Sequence, residues 1–276
     1  MRCTDLVADL KMALDPVLWA KSELSFYPDH WQTEVLQSKA SRILLNCSRQ
    51  SGKSTVTAIL ALHTAIFKPG SLILLLSPTL RQSGELFRNV LSFYSRLDSP
   101  IHSEAESALR LELNNKSRIV SLPGQEHTIR GFAGVSLLIV DEAARVQDDL
   151  YFSVRPMLAV SKGRLIALST PWGKRGWWHQ SWISQELWKR YEVPATLCPR
   201  ISKEFLEEEH RALGEWWFRQ EYLCEFMETE DQLFSHDLIE QMLDPNIRPL
   251  FGGQLVRRGN AAKLIDKSVN LLDLEA

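Results

Sequence analysis

The chain has 276 residues, 45% of them hydrophobic, which is enough to build a substantial core. Its 32 lysines and arginines nearly balance 34 aspartates and glutamates, giving −2, so no global field steers it towards nucleic acid and any such contact must be a local patch. Cys3, Cys47, Cys198 and Cys224 lack zinc-site spacing and read as reduced thiols, and no apolar run approaches the roughly eighteen residues of a membrane span, so a soluble, non-exported protein is expected.

The first 40 residues carry a loosely helical pattern, Leu6, Leu10, Leu14, Val17 and Leu18, broken at Pro16 and Pro28. Arg42 to Asn46 is a short apolar strand, followed by a loop containing Gly52 and a helix from Ser54 to Phe67 that stops at Pro69-Gly70. Ser71 to Ser77 is continuously apolar, as expected of a parallel strand covered on both faces, and a helix from about Arg81 to Leu97 follows Pro78. Leu109, Leu111 and Leu113, the turn Asn114-Asn115, and Ile119, Val120 and Leu122 predict a hairpin-like pair. Leu137 to Val140 and Leu165 to Leu168 are two further buried strands, joined by a segment helical enough for a crossover. The alternation predicts an α/β fold with a mostly parallel sheet flanked by helices. From about residue 190 the apolar strands are expected to cease, and Glu204 to Met227 reads as a charged, tryptophan-rich helical lid. The expected organisation is a lead-in over 1–40, a core over 41–190, a lid subdomain over 191–250 and an unassigned tail over 251–276.

Between the first strand and its helix stands Cys47-Ser48-Arg49-Gln50-Ser51-Gly52-Lys53-Ser54, a phosphate-loop pattern in which Cys47 replaces the first glycine, with Thr55 next in the helix. Such a loop holds phosphate oxygens on backbone N–H groups, reaches the β and γ phosphates with Lys53 and coordinates Mg2+ through Ser54. Gly52 allows close backbone approach. Leu137 to Val140 then delivers Asp141 and Glu142 to the end of a strand, where ligands gather in open α/β sheets: Asp141 to support Mg2+, Glu142 to polarise the attacking water. Ser169 and Thr170 end the next strand before Pro171, and spacing alone leaves open whether they sense the γ-phosphate or merely cap the strand. Arg49 and Arg130 are candidates to stabilise charge in phosphoryl transfer, the latter against the alternative of a solvated loop arginine. Trp31 and Gln32 precede the first strand, an aromatic and an amide suited to an adenine base. Trp172, Trp177, Trp178, Trp182 and Trp188 interleave with Lys174, Arg175, Lys189 and Arg190; packing is favoured over nucleic-acid contact because Trp178 and Trp182 lie one helical turn apart.

Together these motifs are specific. Ser48-Arg49-Gln50-Ser51-Gly52-Lys53-Ser54 resembles the arginine-bearing phosphate loop of the large terminase subunit, the DNA-packaging motor of tailed bacteriophages. Trp31-Gln32 resembles that family's adenine-contacting element, Leu138 to Ala144 its Walker B segment, and Ser169-Thr170-Pro171 with Gly173 its coupling motif. Ser202 to Leu206, Phe218 to Tyr222 and Glu225-Phe226 resemble its lid, and Arg130-Gly131 sits where some members carry an arginine finger acting across subunits. The resemblance implies a RecA-like P-loop ATPase that binds ATP and Mg2+, forms a ring, commonly a pentamer, and drives double-stranded DNA into a capsid with a portal protein and a small terminase subunit. It places such a virus-encoded protein in the cytoplasm of the bacterial host. The family's second, RNase H-like nuclease domain has no counterpart in residues 254–276, so no nuclease activity is expected of this chain. A superfamily 2 helicase-like translocase shares several of these motifs but needs a second RecA-like domain. A nucleotide-binding scaffold without turnover is opposed by intact Lys53, Ser54, Asp141 and Glu142.

Overall fold

The continuous apolar runs become the centre of an eight-stranded sheet. The structure is a computed structural model describing residues 3–97, 101–124, 131–228, 254–258 and 261–265. Helices α1 (Cys3–Leu14), α2 (Pro16–Leu24) and α3 (His30–Gln37) lead into β1 (Arg42–Cys47) and α4 (Lys53–Phe67). Then come β2 (Leu72–Ser77), α5 (Leu80–Tyr94), β3 (Ser103–Ser107), β4 (Arg110–Leu113), β5 (Arg118–Pro123) and β6 (Val135–Asp141). The remainder comprises α6 (Asp148–Val154), β7 (Arg164–Ser169), α7 (Gly176–Ile183), β8 (Lys189–Val193) and α8 (Lys203–Tyr222).

The strand order is β3-β4-β5-β2-β6-β7-β1-β8. All neighbours from β5 to β8 run parallel, and only β3 and β4 add antiparallel pairs at one edge. Alternation sorts the side chains. Ile43, Leu45 and Cys47 pack with α2, α3, α4 and α5 on one face, while Leu44 joins Leu74, Leu138 and Ala167 on the other, under α6 and α7. That second face explains the tryptophan stretch: Trp177 and Trp178 are almost fully buried, and Trp177 stacks on Tyr151 at 3.7 Å while its Nε1 donates to the Val146 carbonyl at 3.0 Å.

Strand β8 lies beyond the point where the apolar pattern fades. It is an edge strand pairing only with β1 through Ile43↔Lys189 to Cys47↔Val193, so it needs apolar residues only at Tyr191 and Val193 and does not read as a buried strand. Helix α8 differs from a single rod. Gly214, at φ 75° and ψ 168°, breaks it, and the Tyr222 hydroxyl donates to Glu209 at 2.7 Å while the Phe205 and Tyr222 rings lie 6.2 Å apart. A straight helix would separate residues 13 apart by about 20 Å, so the second arm folds back along the first. Residues 1–227 form one compact unit; in the second, 228–276, the described part is an antiparallel pair, β9 (Gln254–Arg258) and β10 (Ala261–Ile265).

Two glycines make opposite predictions. A Cβ on Gly163 would stand 2.0 Å from the Val135 carbonyl oxygen, so Gly163→Ala is expected to lower stability by about 2 kcal/mol or more. Gly84, inside α5, has nothing within 4 Å of its Cβ position, and Gly84→Ala is expected to add about 0.5–1 kcal/mol through the unfolded state. Urea denaturation midpoints check both; a neutral Gly163→Ala would contradict the packing at the start of β7.

Candidate functional site

The loop after β1 opens where the sheet's connections switch direction, with β7 on one side of β1 and β8 on the other. Cys47 ends β1 with its side chain in the core, and burial pushes its thiol up to about 12, so the residue standing in for a glycine is a neutral packing group. The left-handed positions fall later, at Gln50 (φ 56°) and Gly52 (φ 90°), and such reversals turn successive N–H groups into an anion-binding concavity. Gly52 is required twice over, by its φ and because a Cβ there would stand 2.8 Å from Gln32 Nε2. Ser48 N–H donates to the Val193 carbonyl at 3.0 Å and Ser51 Oγ to the Ser48 carbonyl at 2.9 Å, pinning the loop from β8 and from within. Lys53, Ser54 and Thr55 form the first turn of α4, whose N-terminus faces the loop.

Strand β6 brings the acids to the same edge. Lys53 Nζ lies 3.7 Å from Glu142 Oε1, with both side chains largely shielded from solvent. Glu142 adopts a left-handed conformation (φ 49°), and its N–H donates to Asp141 Oδ1 at 2.9 Å. Asp141 is buried and its carboxyl is raised to about 6, chiefly by desolvation and then by repulsion from Glu142, against the opposing pull of Lys53, the Glu142 N–H and the Ser54 hydroxyl. The Ser54 hydroxyl thus favours the ionised Asp141 carboxylate, and the two are hard oxygen donors of the kind that holds Mg2+ beside a nucleotide's phosphates. Strand β7 runs between β6 and β1, so Ser169, paired in register with Asn46, and Thr170 sit between acids and loop. Both are buried, and neither the Ser169 nor the Ser48 hydroxyl has a hydrogen-bond partner among the described residues.

The remaining candidates divide. Gln32 is buried beside Gly52, its Oε1 accepting from Asp29 N–H at 2.9 Å, whereas the Trp31 indole lies within the apolar cluster beneath. Arg49 Nε is 2.5 Å from Glu221 Oε2, and its backbone N–H donates to the Glu221 carbonyl at 3.3 Å, so the guanidinium is engaged by the second arm of α8. This bond, foremost, raises the Arg49 pKa. Asn46 Nδ2 donates to the Cys224 carbonyl at 2.8 Å, a second tie from the same segment. Arg130 lies outside the described residues. Two contributors escape the sequence reading: Glu221, whose partner is 172 positions away, and Arg200, which reaches Asp29 and the Ser51 carbonyl. Neither belongs to a local pattern, although Glu221 falls inside the lid segment already singled out by Phe218 to Tyr222.

Protonated Asp141 supports the fold. Because its folded pKa lies above the ordinary 3.8, its contribution is full below about pH 3.8 and is lost as pH rises through about 6. Asp141→Asn, which cannot ionise, is therefore expected to gain stability relative to the parent chain between about pH 5 and about pH 7. Denaturation midpoints at the two pH values check this, and a constant difference would contradict it.

The family described as Terminase large subunit, T4likevirus-type, N-terminal matches residues 44–241. The large terminase subunit of Thermus phage G20c is 26% identical over 254 residues, covering 77% of this chain and 51% of that protein, so the chain spans about half the length of the curated relatives it matches. Among solved structures, the large terminase ATPase domain of Thermus phage P74-26 superposes with a TM-score of 0.66 at 22% identity, covering 78% of this chain and all of that domain. The large terminase of another thermophilic bacteriophage, solved in complex with ATP-γ-S, gives 0.58 at 16% identity over 72% of this chain and 53% of that one. With nearly three-quarters of its length inside the family match, the chain belongs to the large terminase subunits and corresponds to their N-terminal part.

Proposed function

We propose that this chain hydrolyses ATP as the motor part of a large terminase subunit, coupling turnover to translocation of double-stranded DNA into a capsid. The observation that carries the reading is the 3.7 Å approach of Lys53 to Glu142 at the mouth of a loop with left-handed Gln50 and Gly52. A partly buried cation and carboxylate so arranged neutralise each other until a stronger anion arrives. The phosphates of ATP compete for Lys53, and Glu142 is then free to polarise a water for in-line attack on the γ-phosphorus, with ADP leaving. Ser54 and Asp141 would hold Mg2+, which would supply positive charge to offset the negative charge of the phosphates. The N–H groups of Ser48 to Lys53 bind and orient the phosphates, with Thr55 in the turn behind them, and Thr170 senses the γ-phosphate. Trp31 shapes the adenine side behind Gln32, which contacts the base. Arg49, released from Glu221, stabilises charge in cis, and Arg130 does so across a subunit boundary.

Family membership supports the wider assembly: a homo-oligomeric ring, with a pentamer the expected form, acting with a portal protein and a small terminase subunit in the host cytoplasm. Within it, 41–190 is the catalytic core and 191–250 the lid, of which residues 229–250 lie outside the described ones.

Lys53→Ala and Glu142→Gln are each expected to lower steady-state ATP hydrolysis by at least about 100-fold. Wild-type-like turnover by Lys53→Ala would sink the reading. If Arg130 acts in trans, Arg130→Ala subunits mixed with Glu142→Gln subunits recover turnover that neither shows alone, because the second lends its arginine to the first. No recovery excludes that role.

A further inference from the structure

We propose that Arg200 is a positioning residue that locks the phosphate loop to the base-side helix and thereby sets the preference for adenine nucleotides; the inference rests on the nucleotide-binding reading above. Arg200 lies in the connection between β8 and α8, far in sequence from everything it touches. Its guanidinium is used as a fork. Nη2 donates to the Ser51 carbonyl at 2.8 Å, while Nη1 donates to Asp29 Oδ1 at 2.9 Å and lies 2.8 Å from Oδ2. Only arginine presents two planar donor nitrogens that can satisfy a carbonyl and a carboxylate at once.

Each tine has a consequence. The peptide between Ser51 and Gly52 is planar, with its C=O and N–H directed oppositely. Fixing the carbonyl towards Arg200 turns the Gly52 N–H away from it, to the side on which loop N–H groups must converge to hold phosphate oxygens. The other tine fixes Asp29, which precedes the first turn of α3 and whose own N–H donates to Gln32 Oε1 at 2.9 Å. That bond assigns the amide: Oε1 is the acceptor, and Nε2 is the atom beside Gly52. Oε1 keeps a second lone pair, so a base that reaches this buried amide would meet a donor and an acceptor together, matching adenine N7 and N6–H2, whereas guanine presents two acceptors on the same edge. A freely rotating Gln32 could turn to suit either base.

The test measures ADP, GDP and inorganic pyrophosphate binding to the purified chain by calorimetry with Mg2+ present, together with ATP hydrolysis. Arg200→Ala is expected to weaken ADP binding about tenfold and to shrink the ADP-over-GDP preference, raising the KM for ATP more than it lowers kcat. Arg200→Lys, which cannot fork, should recover pyrophosphate binding without recovering the base preference. Asp29→Asn should reproduce the loss of preference while sparing pyrophosphate, and it serves as the decisive variant if Arg200→Ala does not fold. Unchanged ADP affinity and preference, or equal losses for ADP, GDP and pyrophosphate alongside a lowered melting temperature, would overturn the proposal in favour of a structural role. Failure of the unmutated chain to bind any nucleotide would instead refute the nucleotide-binding reading itself, and this inference with it.

Discussion

A parallel strand covered on both faces can carry polar chemistry only at its ends. The polar strand ends of the candidate site follow from that constraint. β1, β2, β6 and β7 are buried along nearly their whole length, so their side chains are committed to two apolar layers until the last one or two positions. Asn46, Ser77, Asp141 and Ser169 are where the commitment ends, and all fall at the same edge because parallel strands finish together. The loop, acids and hydroxyls meet through the sheet's register rather than through attraction for one another.

Bringing charges to a desolvated edge costs free energy, and the raised Asp141 carboxyl records it. Lys53 offsets part of that cost for both acids, as does the Glu142 N–H for Asp141. The same economy governs Arg49 and Glu221, whose carboxylate is buried by the fold-back of α8 and would be unpaired without the guanidinium. Lys53, Asp141, Glu142 and Arg49 are thus each matched by another part of the chain.

The strands at the sheet's centre, the hairpin of β4 and β5, the loop and the acids were readable from sequence because each is local: a run of apolar residues, a turn, a glycine and lysine at fixed spacing. β8 was not, since an edge strand needs only alternate apolar residues, and Lys189–Val193 supplies just two. The break at Gly214 was hidden because a single glycine in a helical pattern signals neither a bend nor its angle. The pairings of Glu221 and Arg200 are hidden for a different reason: their partners are set by tertiary contact across most of the chain. Tryptophan packing is legible in the one-turn spacing of Trp178 and Trp182, whose rings lie 6.5 Å apart in the same apolar cluster, while Trp31 sits deeper in the apolar layer than a base-stacking role requires.

The second arm of α8 carries Glu221 on Arg49 and, one helical turn earlier, Trp217, whose ring lies 6.4 Å from that of Trp172. Trp172 in turn is covered by the Arg145 guanidinium at 4.4 Å and follows Thr170 by two residues, as Arg145 follows Glu142 by three. The arm is therefore a short beam resting on two supports, one on the phosphate loop and one beside the acids and hydroxyls, with a glycine pivot at its far end. One short helix is thereby in contact with both halves of the site at once.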